Sequence, residues 1–383
     1  MNPVEVLDTA KATNPLKDLL KFGQSVWLDY IRRDLLTTGE LKRLIEEDGL
    51  RGMTSNPAIF EKAISESNLY DDVLHSLAGK NLSAVSKFET LAIRDIQDAA
   101  DALRPVYESS QGRDGYVSLE VSPYLARDTQ KTLDEARRLW KAVSKPNVMI
   151  KVPGTAEGIP AFQQLTSEGL NINVTLLFSQ QVYEQVAEAY VAGLAQLASR
   201  GGDVSRVASV ASFFISRIDS AIDKTVDARL KASKDAAEQA LLKIVQGKVA
   251  ISNGKLAYQS YLRIFGTEGW KKLASKGAKT QRVLWASTST KNPAYKDVMY
   301  VEELIGPDTV NTIPPATFDA YRDHGHPHQT LTENIDQAKQ VMETLPKLGI
   351  SMKEVTDKLT DDGVKLFSEA FDKLLQAIEK NAK

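Results

Sequence analysis

Asn147-Val-Met-Ile-Lys-Val-Pro-Gly-Thr155 is the stretch on which the reading of this chain turns. Residues 148–152 crowd β-branched and apolar side chains together, and Pro153-Gly154 ends the run, which is the pattern of a short buried strand. Near-continuous hydrophobic runs of this kind belong to parallel strands covered on both faces. One residue breaks the run, Lys151. A lysine there loses hydration, which favours the neutral amine. A neutral amine in a dry pocket can attack a carbonyl and form a Schiff base. Taken alone, the plainer reading is a strand-end lysine that snorkels to water, so the decision falls to its neighbours.

Outward from this strand, short apolar segments alternate with amphipathic helical patterns for most of the chain, the rhythm of βα units. The strands expected are residues 25–30, 50–54, 116–121, 148–152, 171–178, 206–213, 282–287 and 309–313. Helical patterns cover residues 37–48, 84–103, 129–144, 156–167 and 180–199 between them. Eight such repeats predict an α/β fold of the closed (β/α)8 TIM-barrel type. An open doubly wound sheet is the alternative, but no strand is followed by a G-x-G-x-x-G fingerprint or a Walker phosphate loop. Residues 218–265, after the sixth strand, predict two or more additional helices. Residues 331–383 predict a helical C-terminal extension with apolar positions Leu359, Val364, Leu366, Phe367, Phe371 and Leu375. Both read as decorations of one domain spanning residues 1–383, with its core at about 22–325. The residues before Asn14 are expected to be mobile.

Bulk composition narrows the function. The 383 residues are 42% hydrophobic and 26% charged, with a net charge of −2 from 48 basic and 50 acidic side chains. That is the profile of a soluble globular protein, with no basic patch for nucleic acid or a membrane surface. Cysteine is absent, which excludes disulfides, thiolate metal sites and a thiol nucleophile. The N-terminal residues lack a signal-peptide pattern, and no stretch approaches the length of a membrane span, so a cytoplasmic protein is expected. No symmetric patch that would fix an oligomeric state is visible.

In a strand, residues two apart share a face. The first strand, Val26-Trp-Leu-Asp29, closes on Asp29. The second ends Met53-Thr-Ser-Asn56, with Thr54 and Asn56 at two-residue spacing, although Asn56 can already belong to the loop. Glu120 ends the third strand, and Lys151 occupies the same relative place on the fourth. The fifth carries Asn173 and Thr175 on one face, and Ser212 stands at the end of the sixth. Catalytic residues of such barrels come from the C-terminal strand ends. Asp29, Glu120 and Lys151 would therefore meet at one mouth, an amine beside two carboxylates that can move its protons. Arg217 and Lys291 follow the sixth and seventh strands, where many barrels hold phosphate; ordinary surface charges are the competing reading.

At this point the motifs resemble those of transaldolase, in its longer variety with extra helices. The resemblance runs from about Phe22 to Gly325. It rests on Gly52-Met-Thr-Ser-Asn-Pro-Ala-Ile-Phe60, Val148-Met-Ile-Lys-Val-Pro-Gly-Thr155, Asn171-Ile-Asn-Val-Thr-Leu-Leu-Phe-Ser179, Trp285-Ala-Ser-Thr-Ser-Thr-Lys-Asn-Pro293 and Tyr300-Val-Glu-Glu-Leu-Ile-Gly-Pro-Asp-Thr-Val-Asn-Thr312. It implies transfer of a dihydroxyacetone unit from sedoheptulose 7-phosphate to glyceraldehyde 3-phosphate. The products are erythrose 4-phosphate and fructose 6-phosphate, and the setting is the non-oxidative pentose phosphate pathway. It also implies Lys151 as the Schiff-base lysine and Asp29 as the acid/base of carbon–carbon cleavage. Glu120 would be an acid/base acting through a water that Thr175 positions. Asn56 and Asn173 would hold substrate hydroxyls, and Ser212, Arg217 and Lys291 the phosphate. Lys291 stands where shorter relatives carry arginine, so it would offer a point charge and not a fork. No metal or organic cofactor is implied.

Two other readings share these residues. A class I aldolase that releases dihydroxyacetone would use the same lysine; Phe214 speaks against it, since the sugar-cleaving relatives tend to carry tyrosine there. A non-catalytic sugar-phosphate binder would have no need of Lys151 and Glu120 together. The His324-Gly-His-Pro-His328 run has spacing open to a metal but matches no established zinc pattern and reads as a solvated loop. Trp27, Trp140, Trp270 and Trp285 are expected in packing.

Overall fold

The strand around Lys151 is β4, Val148–Pro153, buried at all six positions. It pairs in parallel with β3, Tyr116–Glu120, which aligns Glu120 with Lys151. On its other side lies β5, Ile172–Leu177, which aligns Asn173 with Lys151 and Thr175 with Pro153. The remaining strands are β1 (Gln24–Asp29), β2 (Gly52–Thr54), β6 (Ser209–Phe214), β7 (Arg282–Ala286) and β8 (Thr309–Ile313). All eight close in sequence order, with β1 paired to β8 from Gln24↔Thr309 to Leu28↔Ile313. This computed structural model describes residues 14–381, and its architecture is the (β/α)8 barrel that the alternating pattern predicts.

Strand ends deviate from the sequence expectation where local polar contacts intervene. The sixth strand starts at Ser209, because Asp203 accepts from the Ser205 amide and winds residues Val204–Arg206 into a 3-10 turn. The helix expected at 37–48 forms as Glu40–Glu47, starting after Gly39 with φ 86°, and a separate short helix, Arg33–Thr37, precedes it. Gly52 opens β2 opposite Trp27, where a Cβ would lie 2.5 Å from the indole ring. Only glycine lets the two strands approach there.

Trp27 and Trp285 are fully buried and Trp270 nearly so; Trp140 packs against the core from its edge. The N-terminal end of the barrel is closed by a buried ion pair. Arg282 donates to Asp114 at 2.8 Å and to Ser25 Oγ at 2.8 Å. Burial would push the Asp114 carboxyl up, but the guanidinium outweighs it and holds the group below its ordinary value.

Four helices, Ser216–Ala232, Ala236–Val245, Val249–Ile264 and Glu268–Ala274, fill the segment between β6 and β7. The third has no side-chain cap of its own. Its first turn is served from a neighbour: Asp219 accepts from the Ala250 amide at 2.8 Å and Asp223 from the Gly247 amide at 2.9 Å. The Tyr300 and Tyr295 hydroxyls donate to the same two carboxyls. The tail forms helix Ile335–Thr344 and the 30-residue helix Met352–Asn381. That helix buries Gly363, Phe367, Phe371 and Leu374 but leaves Leu366 half exposed, so Leu366 is not a core position. Among the described residues no helix is long and apolar enough to cross a membrane.

Candidate active site

The C-terminal strand ends surround a cavity of about 610 Å³. Lys151, from β4, reaches into it with a side chain only 6% exposed. Its Nζ lies 3.2 Å from Glu120 Oε2 and donates to the Ser55 carbonyl at 3.2 Å. The buried amine and carboxylate form an ion pair, and Glu120 Oε2 has no other protein partner among the described residues. The strand register sets this pairing, since Glu120 and Lys151 stand side by side on β3 and β4.

Asp29 ends β1 and accepts from Thr54 Oγ1 at 2.6 Å, and Thr54 in turn meets Thr312 of β8 at 2.6 Å. Burial pushes the Asp29 carboxyl above its ordinary value, against the pull of Lys151, the Thr54 hydrogen bond and Arg217. Burial likewise raises Glu120, with Lys151 opposing it. Both carboxyls therefore hold protons more firmly than exposed acids do, which suits groups that must give a proton as well as take one.

The other expected residues divide into two groups. Thr175, Asn56, Ser212, Arg217 and Lys291 line the cavity with Lys151 and Asp29. Thr175 Oγ1 is buried without a hydrogen-bond partner among the described residues, free to hold a small polar molecule. Asn56 caps helix Pro57–Ser65 through its Oδ1, which accepts from the Ile59 amide, and only its Nδ2 remains for a ligand. Asn173 does not line the cavity. Its amide is held inside the barrel, donating to Ser118 Oγ at 3.0 Å and accepting from Ser212 Oγ at 2.6 Å. Glu120 does not line the cavity either; it stands beside Lys151 and faces a smaller pocket walled by Phe60, Phe88 and Phe371.

At the β6–β7 side the cavity is cationic. Arg217 lies in the first turn of helix Ser216–Ala232 and forms no ion pair or side-chain hydrogen bond among the described residues. Its guanidinium stacks against Phe214 at 5.3 Å, and burial lowers its affinity for its proton while Asp29 restores part of it. Among the described residues the Lys291 ammonium makes one hydrogen bond, to Ser289 Oγ at 2.8 Å, and no ion pair. Two unpaired cations beside Ser287, Ser289 and a helix N-terminus make a ready anion site.

Several lining residues escaped the sequence reading: Tyr30, Lys62, Thr312, the start of helix Pro315–His324 with its N-cap Pro314, and Phe367. Lys62 was within reach, because Asn56-Pro57 marks a helix start and position 62 follows Ile59 by one turn. The three histidines 324, 326 and 328 do not converge: His324 pairs with Asp297 at 2.9 Å and Asp323 at 3.1 Å, while His328 contacts the His326 carbonyl. Among the described residues no group of three or more metal-ligating side chains is assembled.

Comparison with known proteins agrees with this geometry. The sequence pattern of the family described as Transaldolase/Fructose-6-phosphate aldolase matches residues 26–378. A transaldolase of Trichodesmium erythraeum (strain IMS101) is 48% identical over 373 residues, covering 97% of this chain and 98% of the relative. A protein named transaldolase 2 from Nostoc sp. (strain PCC 7120) is 48% identical over 375 residues, 97% of this chain and 98% of its own length. A transaldolase of Thiobacillus denitrificans is 46% identical over 365 residues, 95% and 99% of the two chains. Likeness of this depth, spread over nearly the whole length, establishes descent: the chain is a member of the transaldolase/fructose-6-phosphate aldolase family.

Proposed function

We propose that the protein is a transaldolase that moves a dihydroxyacetone unit from sedoheptulose 7-phosphate to glyceraldehyde 3-phosphate through a Schiff base on Lys151, in the non-oxidative pentose phosphate pathway. The observation that carries this reading is the buried Lys151 amine, 3.2 Å from Glu120, in a cavity shared with Asp29 and the unpaired Arg217. The family membership and the transaldolase names of relatives that match end to end support it.

In this mechanism the Lys151 amine adds to the ketose carbonyl, and loss of water gives an iminium. Glu120 moves the protons, through a water held by the Thr175 hydroxyl. Asp29 then takes the proton of the hydroxyl next to the bond being cut. The carbon–carbon bond breaks, an aldose phosphate leaves as its aldehyde, and the electron pair is held as an enamine. The enamine carbon attacks the acceptor aldehyde, Asp29 returns the proton to the new alkoxide, and water releases the product from Lys151. Each bond broken is matched by one formed, and the lysine nitrogen is the electron sink. Arg217, Lys291 and Ser212 hold the phosphate, and the free Nδ2 of Asn56 meets a substrate hydroxyl. Asn173 acts behind Ser212, orienting it through their hydrogen bond.

Barrel and C-terminal extension work as one unit in this reading, because helix Met352–Asn381 sends Phe367 into the cavity. A cytoplasmic setting belongs to the same proposal, as the place where charged sugar phosphates are retained. Product analysis tests it. With fructose 6-phosphate and erythrose 4-phosphate together, sedoheptulose 7-phosphate and glyceraldehyde 3-phosphate should accumulate in equal amounts. Net release of free dihydroxyacetone at a comparable speed would instead identify an aldolase.

A further inference from the structure

An enamine on Lys151 has two fates. It can attack an aldehyde, or it can be lost: a proton adds to its nucleophilic carbon, water adds to the resulting iminium carbon, the carbon–nitrogen bond breaks, and dihydroxyacetone leaves with the amine restored. Both steps of the loss need water or an acid beside the lysine, so what surrounds Nζ decides the outcome.

One side of that surrounding comes from the far end of the chain. The Phe367 ring centroid lies 5.7 Å from Lys151 Nζ. The ring lines the cavity yet is only 6% exposed. It offers neither a proton nor a hydrogen bond to water, unlike Asp29, Thr54, Thr175 and Ser212 elsewhere on the wall.

The helix carrying it is fixed on both sides of the ring. One turn before Phe367, Gly363 approaches β5 so closely that a Cβ would lie 2.8 Å from Leu176 Cδ2. Leu176 itself follows Thr175 and adopts φ +62°, where β5 carries one residue more than its partner β6. A bulky residue in the left-handed region is uncommon and needs surrounding support. One turn after Phe367, Phe371 packs edge-on against Phe88 at 5.6 Å and Tyr124 at 5.5 Å. Arg127 pairs with Asp361, and Tyr124 bonds to Asp372, tying both ends of this stretch to the segment after β3.

We propose that Phe367 is a specificity-determining residue that shields the Lys151 enamine from water, so that an aldehyde and not a proton is its acceptor. The inference rests on the Schiff-base reading above and assigns the C-terminal helix a task in it. Phe367→Ala opens the wall, Phe367→Leu keeps an apolar filling, and Gly363→Ala pushes the helix off Leu176 without touching the lysine.

The experiment measures dihydroxyacetone release from fructose 6-phosphate without acceptor, and transfer with erythrose 4-phosphate present, on the full-length protein. The borohydride-trapped adduct on Lys151 is followed in parallel. In Phe367→Ala the adduct should still form, while the ratio of release to transfer rises about tenfold or more; Phe367→Leu should stay near the wild type and Gly363→Ala should fall between. An unchanged ratio in Phe367→Ala, or release and transfer falling together, overturns the proposal. Should that variant fail to fold, Phe367→Val is judged by the same criteria. A wild-type protein without adduct or transfer would instead bring down the Schiff-base reading itself, so the two failures are distinguishable.

Discussion

Asp29 and Glu120 flank the same amine but stand on different strands with different partners, and that difference separates their roles. Asp29 is fixed by Thr54, while among the described residues Glu120 Oε2 is paired with Lys151 alone. Burial raises both carboxyls, so removing either acid leaves a proton transfer without its agent. Asp29→Asn is expected to lower kcat by roughly 10²–10⁴-fold while dihydroxyacetone still forms a trappable adduct, because imine formation does not require carbon–carbon cleavage. Glu120→Gln should slow appearance of the adduct itself. Single-turnover trapping with borohydride checks both; an Asp29→Asn variant whose adduct forms as slowly as it turns over would contradict the assignment. These residues were legible in the sequence because strand periodicity fixes which side chains share a face, and each polar group interrupts an apolar run. Asn173 shows where that reasoning stops. Its face was read from the alternation, but whether its amide meets the ligand or Ser118 and Ser212 depends on neighbouring strands that no local pattern reveals.

At the scale of the element, the four helices between β6 and β7 hang on a buried polar contact. Burial pushes the Asp219 carboxyl up to about 7 from an ordinary 3.8, opposed by the Ala250 amide and abetted by the Asp223 charge. The folded protein therefore keeps a proton that the unfolded chain releases above its ordinary value. The corresponding stabilisation is complete below pH 3.8 and is lost as pH rises through about 7. Within that window the slope approaches about 1.4 kcal/mol per pH unit for a single site. Asp219→Asn should flatten the fall of Tm across this range relative to wild type, and melting curves at several pH values check it. Parallel wild-type and variant profiles would show that the carboxyl titrates normally. Helices at this place were readable from the alanine-rich, charged pattern of residues 218–265, which forms three of the four, in keeping with the two or more expected. The partners at the start of helix Val249–Ile264 were not readable, since Asp219 and Asp223 belong to a helix a full element earlier. The helix expected at 37–48 likewise begins later, after a glycine whose left-handed turn a periodicity count passes over.

The whole molecule makes a site by closing a sheet. Residues from β1 to β6 that are far apart in sequence become neighbours only because eight strands return to the first, as Gln24↔Thr309 pairing does here. The rhythm of strands and helices carried that architecture in plain view, and with it the mouth where Asp29, Glu120 and Lys151 meet. What it did not carry were contributions to the mouth from outside the strands. Lys62 arrives on a helix, Pro314 to Ala316 at the start of another, and Phe367 from a tail whose apolar stripe looked like ordinary packing. A stripe states that a face is buried and is silent on what it is buried against. The central claim is chemical and local, that the β4 amine captures a ketose. Its direct measurement is borohydride reduction in the presence of fructose 6-phosphate followed by peptide mass spectrometry. A sugar-derived mass on the peptide carrying Lys151, absent without the sugar, is the predicted result; no adduct, or one carried by Lys62 or Lys291 with Lys151 unmodified, would contradict the account.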